Sequence, residues 1–194
     1  MLESSRTRGT NAAEFAQSSE PGFELLKNGP GLYQLKIWGK FPPRWLANLT
    51  SGLSALDINI NRGAAHKVTA RLWEGILEVS PATVSGLPES LDYLALTREG
   101  AHVSERADSV RLESFTLEKR DEAFFVEIEA ADSVGFLVTV LKTFAFFSLF
   151  PVEVRIDTPG GRVRDSFRLK GIGGMAPSDA SFHGLRAELD KLRH

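Results

Sequence analysis

Ala131-Asp132-Ser133-Val134-Gly135-Phe136-Leu137, followed after a helix-length segment by Ile156-Asp157-Thr158-Pro159-Gly160-Gly161-Arg162-Val163-Arg164-Asp165-Ser166-Phe167, is the stretch whose reading decides the fold. Just before it, residues 124–130 are rich in strand formers, with Val126, Ile128 and Ala130 alternating against Glu127 and Glu129. From 135 to 149, Phe136, Leu137, Val140, Leu141, Phe144 and Phe147 recur at helical spacing, while Thr139, Lys142 and Thr143 form a narrow polar stripe. Residues 152–157 alternate again, Pro159-Gly160-Gly161 is turn chemistry, and 163–169 place Val163, Phe167 and Leu169 on one side. The predicted order is strand, helix, strand, hairpin, strand.

The apolar run from Val134 to Val152 approaches the length of a membrane span, which needs about 20 such residues. Lys142 in mid-run, Gly135 and Pro151 near its ends, and the single polar stripe favour instead a helix buried on most faces and wet on one. Phe146, beside that stripe, is a candidate for an intersubunit or interdomain contact.

These motifs resemble an ACT domain, the small ligand-sensing module of amino-acid metabolism. Asp132, Gly135, Phe136 and Leu137 match that family's loop after the first strand. Ile156, Thr158, Gly161, Arg162, Val163, Asp165 and Phe167 match the hairpin of ACT domains in nitrogen-sensing uridylyltransferases and their plant ACT-repeat relatives. The resemblance implies an α+β fold with two ferredoxin-like βαββαβ units, antiparallel sheets and helices on one face.

A second copy of the pattern lies upstream at an offset of 91, with Leu46 falling on Leu137, Arg71 on Arg162, Glu74 on Asp165 and Ile76 on Phe167. Its predicted elements are a strand at 32–37, a helix opening after Pro42-Pro43 and burying Trp45, Leu46, Leu49, Leu53 and Leu56, strands at 58–60 and 71–79, a short helix at 88–96 and a strand at 110–117. The expected organisation is a flexible tail at 1–21, one ACT-like domain at 22–120 and a second at 121–194. After Lys170 comes a Gly-rich loop, then a helix capped by Ser178 or Asp179, and no residues remain for the second unit's last strand. An unpaired sheet edge is a liability, so residues 22–27 or a strand from a partner chain are expected to cover it. Pro151 at a strand start suits an edge position.

In ACT domains of this type, the resemblance implies, the loop after the first strand and the following helix start meet a neighbouring domain and hold an amino acid between them. The expected ligand-binding residues are Asp132, Ser133, Val134, Gly135, Phe136 and Asn59. A glycine lets a ligand approach the backbone, a helix start receives a carboxylate, and Asp132 takes an ammonium. A second reading stands beside this one, in which Asp132 and Ser133 only cap the helix. Asn59 falls where some serine-sensing ACT domains place a ligand-contacting asparagine, and a turn or strand-edge role serves equally well. The upstream loop departs from the pattern: Phe41 replaces the acid, Arg44 the glycine, and Pro42 and Pro43 remove two amide donors. A degenerate first site is expected.

The 194-residue chain is 42% hydrophobic and 25% charged, enough for two small cores, with a formal charge of −2 that supplies no electrostatic drive toward nucleic acid or anionic membranes. It has no cysteine, which excludes disulfides and thiolate catalysis and leaves the compartment undetermined on redox grounds; composition and a first twenty residues without a signal peptide's apolar core give a cytoplasmic location as the expectation. His66, His102, His183 and His194 lack metal-ligand spacing, and Gly171-Ile172-Gly173-Gly174 lacks the Lys-Ser/Thr of a phosphate loop. Glu74 and Asp165 have no substrate-positioning group beside them. Arg162, Arg164, Arg168 and Lys170 line one strand face, but the only aromatic on that strand, Phe167, points the other way. The expected protein is a non-catalytic regulator, without cofactor, whose partners are an amino acid, a second copy of itself and a regulated enzyme. Its rival is a ligand-free dimerisation or interaction module with degenerate sites.

Overall fold

The computed structural model describes residues 20–82, 91–98, 110–133 and 135–193. Strands β1 (Gly22–Gly29), β2 (Leu32–Lys40), β3 (Ile58–Lys67) and β4 (Leu72–Pro81), with helix α1 (Trp45–Ala55), make the first unit. Strands β5 (Leu112–Arg120), β6 (Ala123–Ala131), β7 (Phe150–Asp157) and β8 (Arg162–Lys170), with helices α2 (Phe136–Phe146) and α3 (Asp179–Lys191), make the second. All eight strands form one antiparallel sheet in the order β1-β2-β4-β3-β7-β8-β6-β5. The fold is α+β and ferredoxin-like in each half, as the sequence motifs imply.

Strand order within each half corrects one expectation. The strand that closes each sheet comes first in its unit, not last. Gly22–Gly29 pairs with β2 through the turn at Pro30 and Gly31, whose φ is 67°. Leu112–Arg120 pairs with β6 through Asp121 and Glu122, with φ 48° and 54°. Residues 22–27 therefore serve the first unit, and 110–117, expected there, contributes to the second. The expected boundary between 120 and 121 falls inside a hairpin. Two-residue turns bring these strands into register at little loop-closure cost, which a strand from the far end of the chain does not match.

The two halves join edge to edge: Arg62, Gly63, Ala64, Ala65 and His66 of β3 pair with Asp157, Ile156, Arg155, Val154 and Glu153 of β7. β7 is thus central, not an edge. Pro151 is accommodated because the β3–β7 ladder begins only at Glu153, so its missing donor breaks nothing on that side.

The helices cover one face. Trp45, Leu46, Leu49 and Leu53 of α1 and Phe136, Val140, Leu141 and Phe144 of α2 are buried against the sheet, and α3 adds Leu185 and Leu189, whereas Leu56, expected in the first stripe, follows the last turn of α1 and is 40% exposed. Ser178 accepts a hydrogen bond from Ser181 N at 3.1 Å and caps α3. Where the first unit's second helix was expected at 88–96, residues 83–90 lie outside the described residues and the remainder ends in a 3-10 turn at Ala95–Thr97. Tyr93 nevertheless fills the core there, its ring edge-on to Phe23 at 5.3 Å. Residues 1–19 of the expected tail, His102 and His194 lie outside the described residues. Among the described residues, no helix is long and apolar enough to cross a membrane.

Candidate ligand cavity at the junction of the two halves

The β6–α2 loop is tied to the sheet by its backbone: Asp132 N donates to Gly161 O at 2.9 Å, and Phe136 N to Ser133 O at 3.1 Å. Gly135, the residue before the helix, has φ 80° and ψ 4°, a left-handed conformation that favours glycine. No side chain caps this helix, so the capping role open to Asp132 and Ser133 is not used.

Across from this loop stand the C-terminal half of α1 and the start of β3. Together they enclose a cavity of about 410 Å³. The first unit contributes Thr50, Ser54, Asp57 and Asn59; the second contributes Asp132, Ser133, Gly135 and Phe136 from the loop, with Thr158, Val163 and Asp165 behind. The structure thus gathers Asp132, Ser133, Gly135, Phe136 and Asn59 at one place, although Asn59 is 73 positions from Asp132 in sequence. Val134 lies outside the described residues. Close by, Thr158 N donates to Asn61 O at 2.9 Å and latches the second half's hairpin to the bulge in β3.

Asp165 was legible only as part of the hairpin motif, yet it forms the cavity's floor. Core-facing residues of β8 are Val163, Asp165, Phe167 and Leu169, and Asp165 is 2% exposed. Its Oδ1 accepts the Asp157 N–H at 3.2 Å. Burial pushes its carboxyl up to about 7, a rise opposed by that hydrogen bond and reinforced by the nearby Asp132 and Asp157 charges. Asp132 is also raised by burial, with a backbone hydrogen bond from Ser133 pulling the other way.

The repeat makes the site interpretable through its opposite number. β2 and β6 align at an offset of 91, so Ile37 corresponds to Ile128; Ile37 pairs with Gly75, and Ile128 with Asp165. Gly75, not Glu74, therefore occupies the place of Asp165, and Trp73 that of Val163: β4 and β8 align at 90, one residue out of step with the expected gapless 91. Glu74 and Ile76 face the opposite side of the sheet from Asp165 and Phe167.

At this counterpart site the void is only about 20 Å³. Phe41 stacks on Trp45 at 4.8 Å, and Trp45 meets Trp73 edge-on at 5.3 Å. Facing them are Leu141, Ala145 and Phe150 where the open site has Thr50, Ser54 and Asn59. Aromatic bulk at Trp45 and Trp73, in place of Phe136 and Val163, fills the first site, and the expected degeneracy has a steric cause.

The open face of the sheet is different in kind. Arg162, Arg164, Arg168 and Lys170 do share it, but Arg162 pairs with Glu113, Arg164 with Glu129 at 3.7 Å, and Arg155 with Glu153 at 3.5 Å. An aromatic the sequence reading overlooked, Phe125, lies on this face, covered by Arg120 at 4.8 Å and Arg168 at 5.7 Å. A wide depression of about 640 Å³ beside it is lined by His66, Arg155, Arg168 and Lys170 around Glu153. Among the described residues, no group of three or more His, Cys, Asp or Glu is placed to hold a metal ion.

No protein-family model matches the sequence, and no curated protein matches it. Among solved structures, the chain is similar to aspartate kinase from Synechocystis at 11% identity and a TM-score of 0.45, over 84% of this chain. The chain spans 27% of the length of that kinase chain.

Proposed function

We propose that this protein is a non-catalytic regulatory module that senses a small amino acid at the junction of its two ACT-like halves. The observation that carries the proposal is the asymmetry of the two related sites: one is a cavity of about 410 Å³ at a glycine-started helix, the other is plugged by aromatic rings. The α-carboxylate of the ligand is received at the start of α2, where backbone amides and the positive helix end converge. Its ammonium is taken by Asp132, with Asn59 and the hydroxyls of Thr50 and Ser54 on the facing wall.

Both walls come from one chain, so binding needs no second copy. Because the ligand touches both halves beside the Thr158–Asn61 latch, it stabilises the joined arrangement by its differential affinity, and that is how occupancy is transmitted. In this reading the module works in the cytoplasm, associates as a homodimer and adjusts a partner enzyme. The rival, a ligand-free interaction module, is favoured by Phe146, which is 81% exposed on α2.

A thermal-shift panel of the twenty amino acids at millimolar concentration separates the two. Ligand at about 100 times its dissociation constant adds about 2.7 kcal/mol to native stability. A shift with one or a few amino acids that vanishes in Gly135→Arg supports the sensor; no shift with any of them leaves the interaction module. Light scattering with and without ligand tests the dimer.

A further inference from the structure

The cavity's charge is one-sided. Asp57, Asp132 and Asp165 line it, and among the described residues lining it none is Lys, Arg or His. A zwitterionic amino acid with a neutral side chain accounts for Asp132 and for the helix start but gives the Asp165 carboxyl, 2% exposed at the floor, no partner from the ligand. An acidic side chain adds a further negative charge to the same space. Ser54 Oγ, on the facing wall, is buried and finds no hydrogen-bond partner in the protein, a polar group left unsatisfied beside the cavity.

Resting on the sensor reading above, we propose that the ligand carries a second cationic group: a basic amino acid whose side-chain ammonium or guanidinium pairs with Asp165 while its α-ammonium meets Asp132. The counterpart site argues for this role. Where the cavity is closed, Gly75 stands in the place of Asp165 and Ala145 in that of Ser54. The buried acid and the polar wall occur together with the open volume and are absent together where it is filled. The cavity of about 410 Å³ lies in the range of about 300–1,000 Å³ typical of small-molecule sites and accommodates a ligand with a three- or four-carbon side chain.

The experiment is titration of the full chain by calorimetry with ornithine, lysine, alanine, glutamate and putrescine, repeated on Asp165→Asn and Ser54→Ala. The expected result is binding of ornithine or lysine at least tenfold tighter than of alanine or glutamate. That preference should fall at least tenfold in Asp165→Asn, with alanine unaffected. Asparagine keeps the side-chain oxygen that accepts the Asp157 N–H, and an unliganded melting curve verifies that the variant is folded; Ser54→Ala supplies an independent readout, with a several-fold weakening confined to the basic ligands. Alanine or glutamate binding as tightly as ornithine overturns the second-cation assignment while the sensor reading stands. Unchanged ornithine affinity in a folded Asp165→Asn does the same. Putrescine binding as tightly as ornithine overturns the basic amino acid as the ligand class, and no binding by any of the five overturns the second-cation assignment, while the sensor reading falls only if the panel of twenty amino acids also gives no shift.

Discussion

Replacing Asp165 by Asn should make the protein's stability less dependent on pH, and the structure fixes both sign and size. The carboxyl has its ordinary value of 3.8 in the unfolded chain and about 7 in the fold, because burial disfavours the charged form. Between those values the folded state keeps a proton that the unfolded state has released. Stability therefore falls as pH rises from about 4 to about 7 and levels off above, where both states are ionised. The gap of roughly three pH units, at about 1.4 kcal/mol each, amounts to a loss on the order of 4 kcal/mol.

Asparagine has nearly the same shape and cannot ionise, so the variant escapes that loss. Urea denaturation of both proteins at pH 4.5 and pH 8 measures it. Near pH 4.5 the two should differ little, and at pH 8 the variant should be the more stable by up to about 4 kcal/mol. With a urea slope of about 2 kcal/mol per molar, this is a midpoint shift of roughly 2 M. Asp179, whose carboxyl is held below its ordinary value by Lys119, contributes with the opposite sign, its stabilisation being lost as pH falls. It is common to both proteins and cancels in the difference. A difference that stays flat from pH 4.5 to 8 would refute the placement of a buried, ionisable Asp165 on the cavity floor.

Other substitutions test the remaining parts of the argument. Gly135→Ala, at φ 80°, should cost about 1–2 kcal/mol of stability by urea denaturation and leave the volume of the cavity open, separating backbone strain from steric closure by Gly135→Arg. Val163→Trp copies the plugged site and should abolish amino-acid binding by calorimetry while α2 and the sheet persist by circular dichroism. Trp73→Val, its reciprocal, should lower stability by about 3 kcal/mol through the cavity it leaves among Phe41, Trp45 and Leu149. Ser178→Ala removes the α3 cap and should cost about 1 kcal/mol in the same denaturation assay.

Much of the fold was legible because its signals are local. Alternation at Val126, Ile128 and Ala130 against two glutamates leaves one register for β6, and the spacing from Phe136 to Phe144 leaves one face for α2. Ownership of the closing strands was not legible, and the reason is chemical. The β5–β6 turn uses Asp121 and Glu122, both with positive φ, instead of the Asn-Gly or Asp-Gly that advertises a two-residue hairpin. It reads as an ordinary charged linker, which is where a domain boundary was expected. The loop residues and Asn59, singled out by motif and by family resemblance, line one cavity. Asp165 could not be separated from Glu74, since a one-residue slip between β4 and β8 leaves the sequence pattern intact and turns the side chain to the other face of the sheet.

Fusing two copies of the unit in one chain explains why the two sites differ. A pair of identical chains joined through the same strands has two equivalent sites, and any substitution appears in both. Covalent duplication breaks that equivalence: Phe41, Trp45 and Trp73 close one site with aromatic packing while Gly135, Val163 and Asp165 keep the other open. The closed site then supplies core at the junction, and the open site carries the buried Asp165 carboxyl. The consequence is a fixed stoichiometry. One amino acid should bind per chain, with a simple hyperbolic isotherm at protein concentrations where the association state does not change, and a calorimetric stoichiometry of two per chain would contradict the closure of the first site.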